Sequence, residues 1–82
     1  MMSITRAEAM IEIVLDETRR VSIDTNAVQC AMLTADRLAC GRIIHAVLLA
    51  QRSGSVPLRI DGSLAELSVV HQYVIENMSS RA

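Results

Sequence analysis

Apolar and polar positions alternate along the chain in runs that fit a helical period. From Thr5 to Arg20 the residues Ala7, Met10, Ile11, Val14, Leu15 and Thr18 fall on one face at helical spacing, with Glu8, Glu12, Asp16 and Arg19 opposite. Thr5 and Glu8 have the spacing of a capping box, in which hydroxyl and carboxylate each satisfy an orphan amide. The pattern predicts a first helix over 5–20. Val21-Ser22-Ile23 breaks it and alternates, which reads as an extended connector.

Asp24, Thr25 and Asn26 are all good N-cap residues, so a second helix is expected from about position 25. Its stripe is Val28, Ala31, Met32, Ala35, Leu38 and Ala39. The same register continues through Ile43, Ala46, Val47 and Ala50. That continuity predicts one long central helix over 25–51, with Gly41 as the alternative break point that would make two. Between Cys40 and Ala50 apolar residues wrap nearly all round, and only Arg42 and His45 are polar besides Gly41. A helix apolar on every side is a buried helix.

Arg52 to Pro57 ends that segment with Gly and Pro in stop positions. Leu58-Arg59-Ile60-Asp61 then repeats the apolar–polar–Ile–Asp order of Val21-Ser22-Ile23-Asp24, so the two connectors could pair as a minimal two-stranded bridge. Ser63-Leu64-Ala65-Glu66 is a second capping box. It opens a last helix over 63–78 with the stripe Leu64, Leu67, Val70, Val74, Ile75 and Met78, and with His71 near its middle. The tail from Ser79 onward, small and polar, is expected to fray. The fold class expected is all-α: a single domain over 1–82, a bundle of three or four helices around a long central one.

Composition sharpens this picture. The chain has 82 residues, of which 51% are hydrophobic, and its mean hydropathy is +0.34. A chain this short hides only about 60% of the surface it exposes unfolded. So much apolar material in so small a particle predicts self-association, most simply a homodimer, through the apolar second half of the central helix. The composition excludes a disordered tail and, with two cysteines, a disulfide-stapled domain. Eight basic residues, all Arg, face nine acids for a net charge of −1, which disfavours a nucleic-acid binder. Tyr73 is the only aromatic residue, so stacking platforms for single-stranded nucleic acid are missing. The Arg-rich, Lys-free composition suggests a bacterial or phage source. The most apolar run, Ile43 to Ala50, is far shorter than the roughly 20 residues of a membrane span, and the N-terminus has no signal-peptide pattern. A cytoplasmic location with reduced cysteines is expected, and no membrane contact.

Chemistry-bearing constellations are sparse. Glu8, Glu12 and Asp16 form a carboxylate ladder, read as a solvated face with Asp16 pairing to Arg20. His71 with Ser68 lacks the orienting third residue and oxyanion donors of a catalytic set, and reads as a core or interface histidine with one hydrogen-bond partner. Cys30, Cys40 and His45 match no zinc spacing, and no phosphate-binding or nucleophile-elbow motif occurs. No metal, cofactor or enzymatic activity is expected. The residues expected at an interface are Cys40, Ile43, Ile44, Val47, Leu48, Leu49, Leu67, His71 and Val74. The function these features point to is a non-enzymatic protein–protein interaction module, a small regulator, adaptor or inhibitor. The alternative is a small DNA-binding transcription regulator using Arg37, Arg42 and Arg52.

Overall fold

A spacing of four residues returns a side chain to the same face in a helix and in a strand alike. The stripe Ile11, Leu15 is therefore compatible with both, and Ile13 between them decides for the strand. A computed structural model, which describes residues 2–79, is mostly β. Six strands precede a single helix: β1 (Ser3–Ala7), β2 (Met10–Val14), β3 (Arg20–Asp24), β4 (Val28–Arg37), β5 (Ile43–Gln51), β6 (Leu58–Gly62) and α1 (Leu64–Ser79). The strands form two antiparallel three-stranded sheets, ordered β1-β2-β3 and β4-β5-β6. The all-α bundle is thus overturned, and only its last helix stands.

The expected helix over 5–20 is instead β1, a turn, β2 and a second turn. Thr5 is an exposed strand residue opposite Glu12, not a cap. Glu8 sits in the two-residue turn at positive φ (56°), with Arg6 Nε donating to its carbonyl at 2.9 Å. Asp16 organises the next turn. Its Oδ1 accepts from the Thr18 and Arg19 amides at 2.8 and 3.0 Å, and its Oδ2 from Arg19 Nε at 2.8 Å. The partner of Asp16 is therefore Arg19, where helical spacing pointed to Arg20. Glu8, Glu12 and Asp16 lie in a turn, a strand and another turn, so the carboxylate ladder does not exist.

The expected central helix over 25–51 is the β4–β5 hairpin. Asp24, Thr25 and Asn26 supply turn chemistry rather than a helix cap. Asp24 Oδ1 accepts from the Asn26 amide at 2.9 Å, and buried Thr25 donates both its amide and its hydroxyl to the Ala9 carbonyl at 2.9 and 3.0 Å. Gly41, the alternative break point, lies where the chain reverses. It takes φ +90°, a conformation that costs a side-chain-bearing residue, and the Leu38 amide bonds to the Arg42 carbonyl across the turn.

One cluster of buried side chains joins both sheets and the helix. Ile11 and Ile23 face each other across β2–β3, and Val47 and Ile60 across β5–β6. Leu67, Val70 and Val74 of α1 complete the same cluster, each fully buried. The connectors 21–24 and 58–61 are extended, as their alternation predicts, but they pair with β2 and β5 and not with each other. They meet only along a seam, where Arg19 Nη1 donates to the Asp61 carbonyl at 2.9 Å. The second capping box is present: the Glu66 amide donates to Ser63 Oγ, and the Ser63 amide to Glu66 Oε1, each at 3.2 Å. Gly62 joins β6 to α1, and a Cβ there would stand 3.3 Å from Glu66 Oε1, the end of a flexible side chain. The expected fraying from Ser79 onward falls largely on residues 80–82, which lie outside the described residues.

Candidate functional site

Strand geometry divides the run from Ile43 to Gln51 between two faces. Val47 and Leu49 point into the core, beside Ile60 and Leu58 of β6. Ile44, Ala46, Leu48 and Ala50 point the other way. Their partners on β4 are Asp36, Thr34, Met32 and Cys30. An antiparallel sheet with one face on a core ordinarily turns a polar face to water. Here the outward face carries Leu48 opposite Met32, which is 51% exposed, with half-buried Ile44 and Ala50 beside them. Its polar rim is Asp36 at the hairpin end and Arg59 with Asp61 on β6, whose side chains pair at 2.8 Å.

Leu38, in the hairpin turn, is 41% exposed, and Leu33 and Ile43, on the opposite face of the hairpin, are 36% and 48% exposed. Sequence periodicity put Met32 and Leu38 on a helical core stripe and left Leu33 without a role. A period-two count over Val28–Arg37 would have shown apolar residues on both faces of one strand.

The expected interface residues fall into two groups. Cys40, Ile43, Ile44 and Leu48 lie on the hairpin surface. Val47, Leu49, Leu67 and Val74 lie in the chain's own core. His71 stands between them, half-buried, with Nε2 3.3 Å from the Ala31 carbonyl of β4. A carbonyl only accepts, so this contact requires the proton on Nε2. Cys30 and Cys40 are exposed free thiols.

The arginines expected to line one helix are dispersed. Arg37 and Arg42 flank the hairpin turn, while Arg52 follows the far end of β5, about 30 Å away at strand rise. Arg52 is moreover tied by Nε to the Asn26 carbonyl at 3.1 Å. Among the described residues no group of three or more His, Cys, Asp or Glu is placed to hold a metal ion, and no helix is long and apolar enough to cross a membrane. A hollow of about 330 Å³ lies along the seam between the sheets, lined chiefly by Met10, Ile23, Val28, Leu49 and Leu58. Its walls carry only Ser22, Asp24 and Gln51 as polar side chains, which is no set for acid–base or nucleophilic chemistry.

Comparison with known protein families, with characterised proteins and with solved structures finds no match.

Proposed function

We propose that the protein is a non-enzymatic interaction module, a small bacterial or phage regulator or adaptor, that self-associates and docks other proteins through its β4–β5 hairpin. One observation carries this reading. Of the eight large apolar side chains exposed among the described residues, four (Met32, Leu33, Leu38 and Ile43) lie on this one hairpin. Scattered apolar residues are normal on any surface, whereas a contiguous patch marks a docking site. On the outward face Met32 joins half-buried Ile44 and Leu48 in such a patch, while Leu33 and Ile43, the cross-strand partners of Val47 and Arg37, project from the opposite face. A cytoplasmic setting fits the two exposed free thiols, which an oxidising compartment would tend to pair.

The test is oligomeric state by sedimentation equilibrium, across low to high micromolar concentration. The wild type is expected to associate, and Met32→Glu, at an exposed position of β4, to be monomeric with unchanged circular dichroism. An uncompensated charge buried in an interface costs several kcal/mol, enough to dissociate it. A folded wild-type monomer at every concentration would overturn the proposal.

A further inference from the structure

The strand order leaves four sheet edges, and three of them are managed. Those of β3 and β6 face one another across the seam, with the Arg19–Asp61 bond closing one end. That of β1 is only five residues long and carries Arg6. The fourth belongs to β4, the longest strand at ten residues. Natural sheets blunt an open edge with shortness, Pro, charge or a bulge. On β4 such devices sit at the ends, and α1, which packs more on this strand than on β5 or β6, leaves Met32, Leu33 and Ala35 exposed. A bulge between Val28 and Cys30 and the His71 contact at Ala31 guard the start, and Asp36 and Arg37 mark the finish. Met32-Leu33-Thr34-Ala35 between them has neither charge nor Pro.

We propose that this edge is the pairing edge for a second copy of the chain. Two β4 strands join antiparallel about a two-fold axis near Leu33 or Thr34, giving a continuous six-stranded sheet. The inference rests on the self-association proposed above and specifies its geometry. Charge placement favours it. An axis at Leu33 sets Asp36 opposite the second copy's Cys30 and Arg37 opposite Gln29, and an axis at Thr34 sets them opposite Met32 and Ala31. Neither opposes like charges, which would destabilise the pair.

Two measurements decide it. Amide hydrogen exchange of the wild type at low and high micromolar concentration should slow at least tenfold within Met32–Arg37 as the copies associate. The double variant Leu33→Lys/Ala35→Lys, at exposed positions, should keep its circular dichroism and weaken self-association at least tenfold. If the wild type dimerises with β4 exchange independent of concentration, or the folded double variant dimerises undiminished, edge pairing is wrong and the proposed self-association stands. A monomeric wild type removes both.

Discussion

His71 on α1 and Ala31 on β4 are linked by a 3.3 Å hydrogen bond from ring Nε2 to backbone carbonyl, forty residues apart in the chain. This contact holds the helix to the edge strand and supplies a donor to a strand that has a neighbour on one side only. It explains why a polar ring is tolerated within an otherwise apolar stripe.

His71→Leu fills similar space but leaves the Ala31 carbonyl without this donor. The loss expected is about 1 kcal/mol, the net value of one such bond. Urea denaturation monitored by circular dichroism measures it. An unchanged midpoint would mean that water replaces the imidazole without cost.

Glu8 turns the β1–β2 hairpin at φ 56°, where its Cβ crowds the backbone. Glycine takes that conformation freely. Glu8→Gly should therefore stabilise the protein, by up to about 1 kcal/mol. A fall in melting temperature would show that the Glu8 side chain makes a compensating contact.

Asp16 is held well below the usual carboxylate range, first by the Arg19 side chain and then by the Thr18 amide. Its folded pKa is depressed, so its contribution is present above the unfolded value of 3.8 and is lost as pH falls through the folded value. Asp16→Asn should melt lower than wild type at pH 7. The two curves should converge as pH drops below about 4. Parallel curves over that interval would exclude this carboxylate as a source of the acid dependence.

The two capping-box sequences give opposite expectations. Ser63→Ala removes a bond to the Glu66 amide at the start of α1 and should cost about 1 kcal/mol. Thr5→Ala, on an exposed strand position, should shift stability by no more than about 0.5 kcal/mol. Thermal melts of the pair discriminate cap from coincidence.

These two motifs also show what could be read without coordinates. Ser63 and Glu66 precede a stripe at Leu67, Val70 and Val74 whose three- and four-residue steps fit only a helix. The strands around Ile23 and Ile60 were equally legible, because alternation over Val21–Asp24 and Leu58–Asp61 fits only an extended chain. The segment from Thr5 to Arg20 was not. Its Ile11–Leu15 step suits either period, and the capping-box letters Thr5 and Glu8 occur by chance in a strand and a turn. From Ile43 to Ala50 nearly every position is apolar, so neither period stands out. The surface assignment suffered accordingly. Helical phase grouped Val47 and Leu49 with Leu48, whereas the pleat sends the first two inward and the third out.

Every ladder in the two sheets joins strands that are neighbours in sequence. No strand must wait for a distant partner, so the entropy of closing long loops is small for each pairing. Such a topology lowers contact order and favours fast folding for a β-rich chain. It also lets each meander form before the other exists, leaving the burial of Leu67, Val70 and Val74 as the step that locks the helix onto the finished strands.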